Sequence, residues 1–241
     1  MTAAELALLA TALVAATISG MLGMGGGTIL IAIMATLLPP GWVVPLHGLV
    51  QMTSNGSRAI LLVRNVCWWA FWLYVPTQLL GVLVAREIYQ GSSLDWLRPV
   101  VGGFLVFSVA WRHLRPKRWM APRWAYAVGG FGGGLLTIFV GVTGPYLAAF
   151  FLREDMEKEQ IVATKAVIQL VGHAAKIPVF LSLGFPYREH FDLVAPLLLI
   201  AVVGTFIGTR LLRRMQGENF RRAFEAVLLV LAARLLADPL F

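Results

Sequence analysis

Two groups of four polar residues repeat one spacing inside apolar segments. Within each group the members are separated by four, four and three residues, which places them within about 80° of one face of a helix. The groups are His47, Gln51, Asn55, Arg58 and Lys165, Gln169, His173, Lys176. A shift of 118 positions places one group on the other. Each group brings amide donors and a cation to one helix face, which is the chemistry of an anion-binding site.

Each group contains a cation that is costly to bury. A cation at the centre of a membrane helix costs about 2.5–3.5 kcal/mol on the insertion scale. Two of them at equivalent positions, Arg58 and Lys176, predict a basic, partly hydrated cavity between two halves of the chain. Arg58 could instead extend to the membrane surface, since Arg64 is less than two turns away. Gln51 and Gln169 could equally be bridges between neighbouring helices.

Glycine-rich breaks precede both groups at the same offset. The first is Gly23-Met24-Gly25-Gly26-Gly27-Thr28, and the second is Gly141-Val142-Thr143-Gly144-Pro145. Successive glycines allow backbone N–H groups to converge, and the short helix that follows presents its positive dipole end, which favours an anion. Close helix packing through small residues is the alternative. The paired offset favours an anion site formed by both breaks.

The acidic residues and the cysteine exclude several other kinds of site. Of the 12 Asp and Glu residues, only Glu225 and Glu5 fall within predicted helices, both near an end. A path for Na⁺ or a divalent cation would need carboxylates at depth. A single cysteine, Cys67, excludes an intrachain disulfide and a thiolate metal cluster. No metal, cofactor or catalytic constellation is expected, and His173 is the candidate deep proton carrier.

The rest of the chain predicts a membrane protein. Hydrophobic residues make up 59% of the sequence and charged residues 13%, about half the usual charged share. No Asp, Glu, Lys or Arg lies between Leu6 and Ser57, a stretch long enough to enter the bilayer more than once. The basic residues that give the net charge of +8 lie in short connections, where they set the orientation of the chain in the membrane. They do not indicate binding to nucleic acid. Further apolar segments follow at 65–85, 99–111, 124–152, 161–181, 193–209 and 220–237.

The repeat and the loop charges predict the topology. The expected fold is an all-α polytopic membrane protein of two inverted-topology repeats. Each repeat has a glycine-broken pair of short helices and three spanning helices. The repeats are 1–114 and 124–241, joined by a basic cytoplasmic connection, 115–123. The connection 210–222 is also basic and is therefore expected in the cytoplasm, whereas the loops 86–98 and 184–192 are nearly balanced in charge and are expected outside. Both termini are therefore expected outside.

The run Ser19-Gly20-Met21-Leu22 followed by the first glycine break resembles the sulfite exporter TauE/SafE family, in the toluene sulfonate uptake permease superfamily. The repeated halves and the basic central connection fit the same family, so the resemblance covers essentially the whole chain. It implies transport of sulfite, thiosulfate or small organosulfonates across a bacterial inner membrane. The second break departs from the family's glycine triplet, and Thr28 stands where proline is common.

We therefore expect a transporter that exports a small anion, binds it near the midplane and alternates its access, with no enzymatic activity. The expected partners are the anion and the lipid bilayer, without nucleic acid, and a homo-oligomer stays open. A channel-like anion pore and a non-transporting membrane scaffold are the alternatives. The expected substrate-binding residues are Gly25, Gly26, Gly27, Thr28, Gln51, Asn55, Arg58, Thr143, Gly144, Pro145, Gln169, His173 and Lys176.

Overall fold

The computed structural model describes residues 3–91, 121–151, 155–216, 218–220, 222–223 and 226. The predicted segment 99–111, most of the connection 115–123 and most of the last helix near 220–237 lie outside these residues. Within the described part all regular structure is helical. The α-helices are α1 (Ala3–Leu22), α2 (Gly26–Leu37), α3 (Pro40–Leu61), α4 (Trp68–Gly91), α5 (Arg123–Phe139), α6 (Gly144–Phe151), α7 (Lys158–Ser182) and α8 (Phe191–Arg214).

The described helices fit an all-α membrane protein. α1, α4 and α8 are long and apolar enough to cross a bilayer. α3 and α7 have 22 and 25 residues, which is also sufficient length, but both contain polar residues along one face. Large apolar side chains on α4 and α8, such as Leu80, Leu83 and Leu199, are exposed, as expected for surfaces in contact with lipid.

Each glycine break produces a hairpin of two unequal helices, where the sequence had predicted two short ones. α1 has 20 residues and α2 has 12, while α5 has 17 and α6 has 8. At 1.5 Å per residue α1 extends about 30 Å, the thickness of the hydrocarbon core, and α6 only about 12 Å. The breaks lie where the sequence placed them, but the prediction of a short helix was wrong for α1, because α1 begins at Ala3 and is long enough to cross the bilayer.

Two further boundaries differ from the sequence prediction. Arg86 and Glu87, expected in a loop at 86–98, lie in α4, which continues to Gly91. Arg213 and Arg214, expected in a connection, lie in the last turn of α8, where a cation interacts favourably with the helix dipole. Charged residues at the ends of membrane helices can reach the aqueous boundary without ending the helix.

The two polar helices α3 and α7 lie side by side in opposite directions. Gly48, early in α3, packs beside Lys176, late in α7. Gly56, near the end of α3, packs beside Leu170, further back in α7. The rings of His47 and the α7 residue His173 also meet, with centroids 5.8 Å apart. This antiparallel pair therefore brings both polar faces to one interface at the centre of the described structure.

Two parallel helix pairs flank this centre, and glycines bring each pair close together. In α1 and α8, Gly20 lies so near Thr205 that a Cβ on the glycine would come 2.8 Å from the backbone oxygen of Thr205. In α4 and α5, a Cβ on Gly134 would overlap the backbone oxygen of Gln78 and lie 2.8 Å from the Cα of Gly81. Small residues at such crossings allow van der Waals contact between backbones, the main attraction between helices in lipid.

Substitution of Gly134 by alanine tests the close α4–α5 crossing. We expect Gly134→Ala to destabilise the purified protein by about 1–3 kcal/mol, because the backbone of α4 must move away from the added methyl group. Thermal unfolding in detergent measures this as a fall of several degrees in Tm. Gly41→Ala is the matched control, since a Cβ at Gly41 meets nothing within 4 Å. Equal Tm values for the two variants would contradict the crossing.

Candidate functional site

The tips of the two hairpins both turn at a glycine with positive φ. Gly23 and Gly141, which are 118 positions apart, have φ values of 69° and 80°. Left-handed backbone of this kind favours glycine, which has no Cβ to clash. The helices that follow begin at Gly26 and Gly144, again 118 positions apart. The two breaks therefore share a left-handed glycine and the start of the following helix, and differ at Gly25, whose φ of 89° has no counterpart at Thr143.

The two tips meet inside the molecule. A Cβ on Gly144 would lie 3.4 Å from the Cβ of Met24, in ordinary contact. A Cβ on Gly23 would lie 3.3 Å from the Cα of Val162 in α7, so the first tip also touches the second half of the chain. Each tip thus packs against residues of the other half.

Side chains from α3 and α7 bind backbone oxygens at or beside these tips. The Arg58 guanidinium donates to the oxygen of Ser19 and also to Oδ1 of Asn55. The Lys176 ammonium donates to the oxygen of Gly141 at 2.7 Å. Nε2 of His47 lies 3.0 Å from the oxygen of Gly27. A backbone carbonyl inside a membrane needs such a partner, because no bulk water can supply one.

A cavity lies between the tips and is bordered by both halves. Its walls enclose about 290 Å³ between atoms, part of it open to solvent. The centre is narrow, with room for about one water-sized molecule. The walls are formed by Ser19, Gly23, Met24, Gly25, Gly27, Thr28, Gln51, Asn55, Arg58, Val142, Thr143, Gly144, Gln169 and His173.

Ten of the thirteen residues predicted to bind substrate line this cavity. They come from both glycine breaks and from both polar helices. Residues that were grouped by their spacing in the sequence are therefore neighbours in the structure. That they contact a substrate stays a prediction. The ten are Gly25, Gly27, Thr28, Gln51, Asn55, Arg58, Thr143, Gly144, Gln169 and His173.

Three predicted residues lie outside the cavity lining. Gly26 packs against α1, where a Cβ would overlap the oxygen of Ala15. Pro145 follows Gly144 in the first turn of α6 and is not part of the wall. Lys176 lies beside Gly48, which is ten residues before Arg58 on α3, or about 15 Å along the helix axis. Antiparallel packing therefore separates the backbones of Arg58 and Lys176, although the Lys176 ammonium reaches Gly141 beside the cavity, and that the two cations act at one site stays a prediction.

Four lining residues were absent from the prediction: Ser19, Gly23, Met24 and Val142. All four belong to the helix ends and turns around the breaks. Ser19, Gly23 and Met24 fall inside the glycine-rich run that the sequence singled out. A prediction that took in every residue of each turn, and not only those that begin the following helix, would have included these four residues.

The cavity combines hydrogen-bond donors with positive charge. Arg58 is 1% exposed, and the amides of Gln51, Asn55 and Gln169 lie around it. The first turns of α2 and α6 begin at the cavity, and the N–H groups of a first turn lack partners within their helix. Gly27 leaves room for Gln51, because a Cβ there would overlap the amide nitrogen Nε2. Such a set of donors suits an anion with several acceptor oxygens.

Negative charge is absent from the buried part of the described structure. The buried polar side chains there include Arg58, Lys165 and Lys176 but neither Asp nor Glu. The described residues also contain no cluster of three His, Cys, Asp or Glu side chains that could hold a metal ion. The buried part of the described structure therefore favours an anion, because it contains no carboxylate that could bind a cation.

Two comparisons with known proteins agree on one kind of protein. The family model described as "Sulfite exporter TauE/SafE" matches residues 8–235. A protein from Comamonas testosteroni, "Probable inner membrane transporter protein TsaS", is 30% identical over 224 residues, which cover 91% of each chain. No solved structure matches the chain. The family model extends across the two hairpins and the two polar helices.

Replacing Lys176 tests whether its charge serves something other than stability. We expect Lys176→Met to raise the free energy of unfolding by about 1–2 kcal/mol in buffer without oxyanions. An ammonium buried without a counter-charge costs several kcal/mol, which exceeds the roughly 1–3 kcal/mol cost of leaving the Gly141 oxygen without its donor. In thermal unfolding this is a rise of roughly 2–8 °C in Tm.

Lys158→Met is the control for Lys176→Met. The Lys158 ammonium donates to the oxygens of Leu212, at 2.9 Å, and Met215 at the end of α8. The oxygen of Leu212 also accepts from the N–H of Met215, but the oxygen of Met215 lies past the last turn of α8 and would lose its donor, so we expect this variant to lower Tm. A large loss of stability in Lys176→Met as well would show that Lys176 is structural.

Proposed function

The chain belongs to the sulfite exporter TauE/SafE family, and from this premise we propose that it moves small sulfur-containing oxyanions across the bacterial inner membrane. Membership and the relative make it a membrane transporter with a small-molecule substrate, not an enzyme. Sulfite, thiosulfate and organosulfonates are the proposed substrates, and export is the proposed direction. The observation that carries the proposal is the cavity between the hairpin tips, which joins Arg58 to amide and backbone donors.

The chemistry of these oxyanions matches the cavity. Each carries negative charge and several acceptor oxygens, whereas the cavity wall supplies a guanidinium, three amides and the first turns of two helices. Hydrogen bonds between charged donors and oxyanions are roughly twice as strong as those between neutral groups. The absence of a buried carboxylate in the described residues removes the repulsion that would exclude a dianion. Arg58 is accordingly the proposed anchor of the substrate.

The proposed architecture is a pair of inverted repeats, supported by the packing of equivalent helices. α3 and α7 are related by the 118-residue offset and run antiparallel, as a two-fold axis in the membrane plane requires. The flanking pairs correspond too. Ala16 of α1 meets Gly204 of α8, and their counterparts at offsets of 118 and 123, Gly134 and Gly81, meet in α5 and α4.

The two buried cations support alternating access. Arg58 lies near the end of α3 and Lys176 near the end of α7, so antiparallel packing places them towards opposite membrane faces. The cavity at Arg58 is narrow, and a substrate with several atoms can enter only if its walls separate. We propose that movement of one half against the other opens the site first to one side and then to the other.

Transport by reconstituted vesicles tests this function. We expect wild-type protein to move sulfite or thiosulfate with saturable kinetics, and Arg58→Gln to lower the rate about tenfold or more. Loss of a hydrogen bond to a charged group costs about 1.5–3 kcal/mol, and 1.4 kcal/mol corresponds to a factor of ten. Arg188→Gln removes an exposed cation from a short 3₁₀ helix (Tyr187–His190) and is expected to transport normally.

The same vesicles distinguish the alternatives. A carrier accelerates uptake of labelled thiosulfate when unlabelled thiosulfate is present on the far side, whereas a pore does not. A scaffold gives no flux, and no oxyanion raises its Tm. Flux that is unchanged in Arg58→Gln would show that the substrate binds elsewhere.

The proposed orientation has both termini outside, and single cysteines can test it. In a Cys67→Ser background, which removes the native cysteine, we expect Arg188→Cys to react with a membrane-impermeant maleimide on intact cells. Arg64→Cys, between α3 and α4, should react only after the membrane is opened. Both positions are exposed on the described structure. The reverse labelling pattern would place the termini inside.

A further inference from the structure

Two histidines from opposite halves of the chain meet beside the cavity. The ring centroids of His47 in α3 and His173 in α7 lie 5.8 Å apart, with the rings nearly perpendicular. His173 borders the cavity and is 4% exposed, while His47 is fully buried. Neither residue is needed to make the anion site basic, because Arg58 already supplies the charge there.

Each ring has a nitrogen that lacks a hydrogen-bond partner. A carbonyl oxygen can only accept, so the contact between His47 Nε2 and the oxygen of Gly27 places a proton on Nε2. In the neutral ring, Nδ1 is then an unprotonated acceptor, and it is buried with no partner in the described structure. Nδ1 of His173 is buried in the same way. A proton can therefore be added to His47 without breaking its hydrogen bond to the hairpin.

The charges around the pair decide when it can hold a proton. The charged groups close enough to act on His173 are Lys176, Arg58 and His47 itself, and Lys176 also acts on His47. Lys165 lies two turns before His173 on the same helix. α2 and α6 contain no Asp, Glu, Lys or Arg, and α1, α4, α5 and α8 carry such residues only near their ends. An added positive charge is repelled by these cations until an anion occupies the cavity.

We propose that His47 and His173 together bind one proton when a doubly charged oxyanion binds, so that proton and anion cross in the same direction. The proton and the anion together then carry one net negative charge, which an inside-negative membrane potential drives outward, in the proposed direction of export. The proton comes from water on the side where the anion enters, occupies an imidazole Nδ1, and leaves to water on the side where the anion departs. This assignment rests on the proposed transport function. It makes the His47–His173 pair the site of the coupling ion, with His173 at the border between the proton and the anion cavity.

A pH gradient across vesicles tests the proposal as an equilibrium. Thiosulfate is the probe, since it keeps its two charges near neutral pH and takes up no proton itself. With the membrane potential held at zero, coupling to one proton makes a gradient of one pH unit accumulate thiosulfate about tenfold on the alkaline side. We expect this for the wild type and for His190→Gln, which alters a buried histidine that stacks on Trp42 rather than on the pair.

His47→Gln is the decisive variant. Its amide can still donate to the oxygen of Gly27 but cannot take up the proton, so we expect labelled thiosulfate to equilibrate without accumulating. His173→Gln should likewise lose the accumulation. Accumulation that persists in both variants, or wild-type protein that equilibrates thiosulfate with no accumulation, would overturn the proton site and leave the transport function intact. Wild-type protein that moves no sulfur oxyanion would overturn the transport function itself.

Proton uptake by the purified protein on thiosulfate binding tests the same proposal when a variant does not transport. When thiosulfate is added to purified wild-type protein in a weakly buffered solution, the protein should take up about one proton for each anion bound. His47→Gln and His173→Gln proteins that unfold at the wild-type temperature should take up none. Binding by the wild type without proton uptake would overturn the proposal.

Discussion

Backbone polar groups inside a membrane must have hydrogen-bond partners, and this requirement organises the centre of the molecule. Two helices are broken at Gly23 and Gly141, and each break leaves backbone oxygens and N–H groups unpaired by the helix. Lys176 binds the oxygen of Gly141 in the second break, while Arg58 and His47 bind oxygens of Ser19 and Gly27, in the helical turns that border the first break. The N–H groups of the following first turns remain available at the cavity, which gives this region its preference for negative charge.

The same arrangement explains why buried cations occur without buried carboxylates in the described structure. A carboxylate would neutralise Arg58 and remove its attraction for an anion. Carbonyl oxygens satisfy the hydrogen-bond donors of Arg58 and Lys176 but leave their charge in place. The charge costs stability, and the close glycine crossings of α1 with α8 and of α4 with α5 supply packing that offsets it. Stability is thus concentrated at the flanking pairs, and charge at the centre.

Much of this could be predicted from the sequence, because repeats and helical spacing are local properties. The 118-residue offset located both turns, and the spacing of Gln51, Asn55 and Arg58 placed them on one helix face. The depth of a side chain was not predictable, since it depends on where two helices cross. Lys176 therefore fell outside the cavity although its spacing matches that of Arg58. The contact between His47 and His173 was hidden for the same reason, as equivalent positions do not face each other across antiparallel helices.

The central claim is that an oxyanion binds between the two hairpin tips at Arg58. An experimental structure with bound thiosulfate tests this most directly, because its sulfur and oxygen atoms give strong density. Our account predicts thiosulfate oxygens within hydrogen-bond distance of the Arg58 guanidinium and the Gln51 amide, with the tips moved apart from their present narrow contact. Thiosulfate bound elsewhere, for example at the arginines that end α8, with the space at Arg58 filled only by water, would contradict it.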